Sequence, residues 1–105
     1  MADDRDAIEE LRGVSDVDAV HWVHHYLYFP SEEAGNDVAD ILRERGFVVE
    51  HRLGADGVNR LVLAKSQMMP TEQNIAEARA MLEQIAEKNG GEYDGWEAEV
   101  QKKGT

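Results

Sequence analysis

Residues Phe47–Lys65 read FVVEHRLGADGVNRLVLAK. Two runs rich in β-branched and aliphatic residues, Phe47–Leu53 and Val58–Lys65, flank Gly54-Ala55-Asp56-Gly57. The Asp-Gly step supplies the backbone conformations of a tight connection, so the two runs are expected to pair as an antiparallel hairpin. One helical pattern lies on each side of this hairpin. Upstream, Pro30 and Ser31 offer a break and an N-cap, Ala34, Val38, Ile41 and Leu42 recur at helical spacing, and Gly46 closes the helix. Downstream, after Pro70-Thr71, Ile75, Ala78, Leu82 and Ile85 form one apolar stripe that Asn89-Gly90-Gly91 ends.

Beyond each helix lies one more strand. Val20–Phe29, VHWVHHYLYF, is rich in β-branched and aromatic residues. Alternation sends Val23, His25, Leu27 and Phe29 to one face and Trp22, His24, Tyr26 and Tyr28 to the other. The last strand runs from about Glu92 to Val100. In it Tyr93 and Trp96 are expected on opposite faces, with a bulge or close approach at Gly95 and a turn or bulge role for Asp94. Trp96, Ala98 and Val100 then pack under the helices and Tyr93 lies beside the aromatic row. Ahead of everything, Asp3–Arg12 carries Ile8 and Leu11 on a thin apolar stripe, a loosely docked helix.

The order predicts an α+β fold, a ferredoxin-like βαββαβ sandwich: a four-stranded antiparallel sheet with two helices on one face, plus a short N-terminal helix. A chain of 105 residues has room for one core, so a single domain is expected, with a helical extension over 1–16 and the core over 17–101. The other sheet face is left open. It would present Trp22, His24, Tyr26 and Tyr28, with Val62 and Ala64 alternating beside them, a surface that marks an interaction site unless the N-terminal helix or a second subunit covers it.

Composition narrows the chemistry. Without cysteine there is no disulfide, thiolate metal site or cysteine nucleophile. His21, His24, His25 and His51 invite a metal, but strand alternation turns His24 away from its neighbours and separates His21 from His25 by about 13 Å, so no metal or cofactor is expected. Asp94 with Glu92 or Glu97 reads as solvated acidic surface rather than a catalytic dyad, and Gly54–Gly57 lacks the Lys-Ser/Thr ending of a phosphate loop. No catalytic residue is expected. The net charge of −11 repels phosphate backbones and anionic lipid, and Glu97 and Glu99 beside the aromatic row speak against RNA stacking there. Neither nucleic acid nor membrane is an expected partner; a basic protein segment is. The opening MADDRDAIEELRG lacks the apolar run of a secretory signal, and a cytoplasmic protein is expected.

Three stretches resemble one family: LYF (Leu27–Phe29) before a helix, ERGF (Glu44–Phe47) at its end, and above all GGEYDGWE (Gly90–Glu97). They are similar to those of regulator of ribonuclease activity B, also called ribonuclease E inhibitor proteins, from the first strand to Val100. The resemblance implies a ferredoxin-like sandwich and a bacterial, non-enzymatic protein that binds ribonuclease E and inhibits or modulates its cleavage of RNA. The better-studied members continue into a strongly acidic tail; here the acids are spread through the body. The expected partner-binding residues are Trp22, His24, Tyr26, Tyr28, Tyr93, Asp94, Glu97 and Glu99, on a monomer or weak homodimer. The alternative is a dimeric α+β module whose sheet face encloses a small-ligand or catalytic pocket lined by His24, Tyr26 and Tyr28.

Overall fold

A computed structural model describes residues 4–15 and 19–100; Asp3 and Gln101–Thr105 lie outside the described residues. In chain order the elements are α1 (Asp4–Arg12), β1 (His21–Phe29), α2 (Glu32–Glu44), β2 (Val48–Leu53), β3 (Arg60–Met68), α3 (Glu72–Lys88) and β4 (Glu92–Ala98). The sheet is open, four-stranded and antiparallel throughout, in the order β2-β3-β1-β4. It is an α+β architecture, with three helices among the described residues.

Local chemistry sets most boundaries. The hydroxyls of Ser31 and Thr71 accept from the backbone N–H groups of Ala34 (3.2 Å) and Asn74 (3.0 Å), the N-caps of α2 and α3. At the far end of α2, Gly46 N–H donates to Arg43 O and Phe47 N–H to Leu42 O, which satisfies two otherwise orphaned carbonyls. The hairpin forms as expected, but β3 begins at Arg60 rather than Val58. The Asp56 carboxylate accepts from the N–H groups of Val58 and Asn59 at 2.9 Å each and so draws both residues into the turn.

β1 is central and alternates without exception: His21, Val23, His25, Leu27 and Phe29 are buried, while Trp22, His24, Tyr26 and Tyr28 are half-buried. The buried set faces the helices. Leu27 and Phe29 join Val38 and Leu42 of α2, Leu82, Ile85 and Ala86 of α3, and Val62 and Ala64 of β3 in the main core. Full burial of each larger aliphatic or aromatic side chain contributes about 1.5–3 kcal/mol. Val62 and Ala64 therefore lie on the helix face, not on the open one. The register pairs Leu27 with Val62 and His25 with Ala64, so Leu61 and Leu63 are the β3 residues beside the aromatic row.

α1 covers the same face as the other helices. Ile8 packs with Val23 and Ile75, against Met68, Trp96 and Ala98. Polar contacts hold it more firmly than its thin stripe suggests: the Trp96 indole N–H donates to Asp4 Oδ1 (2.9 Å), Arg79 pairs with the same oxygen (3.1 Å), and Arg5 pairs with Glu72 (2.9 Å). Trp96 and Ala98 pack under the helices as expected. Val100 does not; it lies past the end of β4 and is 56% exposed.

Candidate functional site

The open face is built from alternate residues of four strands. Across it, one row runs Val48, Lys65, His24, Glu97; the next Glu50, Leu63, Tyr26, Gly95; the last Arg52, Leu61, Tyr28, Glu92. Trp22 lies beyond them, its carbonyl accepting from Glu99 N–H at 2.9 Å. Leu61 and Leu63 are only 6% and 7% exposed despite facing away from the helices, because the aromatic row flanks them on one side and Glu50 and Arg52 on the other.

Two members of the aromatic row are tied to β4 carboxylates. His24 Nε2 lies 2.8 Å from Glu99 Oε2, and the Tyr26 hydroxyl donates to Glu97 Oε1 at 2.6 Å. That hydrogen bond, with burial second, pushes the Tyr26 phenol up to about 12, so it stays a donor at any physiological pH. The cations of the face are claimed within the chain: Glu50 pairs with Lys65 (2.7 Å) and with Arg52 (2.9 Å), and Lys65 holds its carboxyl below the usual range. Four carboxylates, Glu50, Glu92, Glu97 and Glu99, thus surround an aromatic strip whose two cations are already paired.

Tyr93 is not part of this face. Its predicted position rested on uninterrupted alternation along β4, but the register pairs Tyr26 with Gly95 and Leu27 with Tyr93, which leaves Asp94 as the additional residue of a bulge. Gly95 adopts φ +124° to allow it. One inserted residue reverses the alternation, so Tyr93 and Trp96 both point to the helix side. There the Tyr93 hydroxyl lies 2.8 Å from His25 Nδ1, and the ring of Phe47 meets that of His25 edge-on, with centroids 6.3 Å apart. Burial raises the Tyr93 pKa and lowers that of His25 to about 4, so both are neutral near pH 7. His25 Nε2 is buried with no hydrogen-bond partner among the described residues.

Of the expected site residues, Trp22, His24, Tyr26, Tyr28, Glu97 and Glu99 thus come together with the open face, Asp94 lies at the exposed bulge on the β4 edge, and Tyr93 lies opposite. The sequence reading missed Leu61, Leu63, Glu50 and Lys65 on that face. Their signal was the β3 pairing register, which Leu61-Val62-Leu63-Ala64 conceals because both alternate sets are apolar. The four histidines also separate: His21 is buried on Ser15 (2.7 Å) and the Ala19 carbonyl (2.7 Å), and His51 lies against Asn36 (2.8 Å).

A family model described as regulator of ribonuclease activity B matches residues 1–98. The chain belongs to that family. No protein of curated function matches it. The match spans every helix and strand described above, the YDGW bulge included, and the family is one of regulators of ribonuclease activity. No helix among the described residues is long and apolar enough to cross a membrane.

Proposed function

We propose that the protein is a non-enzymatic regulator that docks on ribonuclease E, or on a related RNA-processing protein, and so inhibits or modulates RNA cleavage. The observation that carries this reading is the aromatic strip of Trp22, His24, Tyr26 and Tyr28 on a face that none of the described helices covers, within a ring of carboxylates. Such a surface suits a basic, partly apolar segment. An arginine stacks on an aromatic ring and pairs with a neighbouring carboxylate at one site, and aliphatic side chains pack on the half-buried rings of Trp22, Tyr26 and Tyr28.

Nucleases hold RNA through basic segments, and occupying one lowers the affinity for RNA without any bond being made or broken by the regulator. The net charge of −11 steers such a segment from a distance, while the aromatic anchors hold it. The protein is read as acting in the cytoplasm, where RNA turnover occurs, and as a single domain. Its core from β1 to β4 is read as ferredoxin-like, supported by the strand order β2-β3-β1-β4 and the succession β1, α2, β2, β3, α3, β4.

The test is a calorimetric titration of the chain into the host's own ribonuclease E, at low and at high salt, with an RNA-cleavage assay in parallel. Saturable binding that weakens with salt and slows cleavage supports the proposal. No heat of binding at low salt ends it.

A further inference from the structure

We infer that β2 is a self-recognition edge: two copies of the chain pair their β2 strands antiparallel about a two-fold axis at His51, joining two four-stranded sheets into one. The two edges of the sheet differ. β4 is interrupted by the bulge at Asp94 and carries Glu92, Asp94 and Glu97 with no cation, so pairing with its own copy would stack like charges. β2 pairs with β3 over all six of its residues without a shift of register and contains no proline or glycine. Its two ends, Val48 and Leu53, are 52% and 50% exposed.

The backbone fixes which groups β2 offers. Arg43 donates to the Val49 carbonyl oxygen from outside the sheet (3.2 Å), and Gly54 N–H closes onto Asn59 O within the hairpin (2.8 Å). In an antiparallel ladder these parities alternate, so Val49, His51 and Leu53 turn their N–H and C=O groups outward. An axis at His51 then makes hydrogen-bonded pairs of His51 with His51 and of Val49 with Leu53 of the second copy. It also brings Glu50 opposite Arg52 of the second copy, twice, in the non-hydrogen-bonded positions where side chains approach most closely. The sequence Val48–Leu53 is thus complementary to itself in hydrophobicity and in charge. Arg43 gives up the Val49 carbonyl on pairing, which is cheap for a side chain that is half-exposed. With the axis normal to the sheet, both aromatic faces look the same way, and the dimer presents two of them side by side.

Sedimentation equilibrium of the chain alone, from low micromolar to millimolar concentration, tests the pairing without any nuclease, so its failure and that of ribonuclease docking are separate results. The expected outcome is a monomer–dimer equilibrium. Glu50→Arg and Arg52→Glu each weaken it roughly ten- to hundred-fold by replacing two opposite-sign contacts with like-sign ones. Because Glu50→Arg also loses the Lys65 pair, and each reversal loses the Glu50–Arg52 pair within its own chain, the decisive sample is an equal mixture of the two variants, in which every contact between residue 50 of one copy and residue 52 of the other is again opposite in sign: the mixture returns to dimer. A single-chain mass at all concentrations, a dimer indifferent to both reversals, or a mixture that stays monomeric overturns the inference.

Discussion

A β-carbon at Gly95 would meet no atom within 4 Å, yet φ at this residue is +124°, where L side chains are strained. Gly95→Ala is therefore expected to cost about 1–3 kcal/mol through backbone conformation alone, read as a lower urea midpoint. Gly91 is required for a different reason: a β-carbon there would collide with the Tyr28 carbonyl oxygen and the Phe29 ring. His25 adds a pH dependence. Its folded-state pKa, about 4, lies below the ordinary histidine value of 6.5, so between these values the unfolded chain binds a proton that the folded chain does not. Its contribution is whole above 6.5 and is lost as pH falls toward 4. Unfolding titrations should show about 2 kcal/mol of this loss between about pH 7.5 and 5, and His25→Leu should remove that component. The aromatic character of YDGW is plain in the sequence; that Tyr93 turns inward onto His25 is not, because alternation along a strand carries no mark of where a bulge resets it.

Helix caps and apolar stripes are local, and the elements reflect this. Ser31→Ala and Thr71→Ala should each lower stability by about 1 kcal/mol in the same unfolding assay, since each leaves a helix N–H without its side-chain acceptor. α1 is different, because what holds it lies far away in sequence: Trp96 and its acceptor Asp4 are 92 positions apart. Ile8→Ala, at a site 5% exposed, should cost about 2 kcal/mol and loosen α1 from Val23 and Ile75. In a Trp22→Phe background the emission of Trp96 then shifts to the red. The stripe of Ile8 and Leu11 is readable in the sequence as a helix face, but which surface it covers depends on Trp96 and Arg79, and no spacing rule links those residues to α1.

At the scale of the whole molecule, charge and shape act together. Raising salt should weaken docking of a basic partner progressively, since a net charge of −11 steers the encounter over distances that ions screen. If the open face docks the partner as proposed, Tyr26→Ala should lower the affinity by about 2 kcal/mol by calorimetry, with an unchanged circular dichroism spectrum, because the ring lies on the open face and not in the core. Element types, their order, the caps, the two faces of β1 and the acidic character follow from sequence alone, for they depend on periods of 2 and 3.6 residues and on composition. The tertiary structure decided which apolar set of β3 meets the helices, that α1 leaves the aromatic strip open, that Glu97 and Glu99 clasp Tyr26 and His24, and that β4 turns Tyr93 inward. Each of these depends on register or docking between residues distant in the chain, where a shift of one residue exchanges the two faces of a strand.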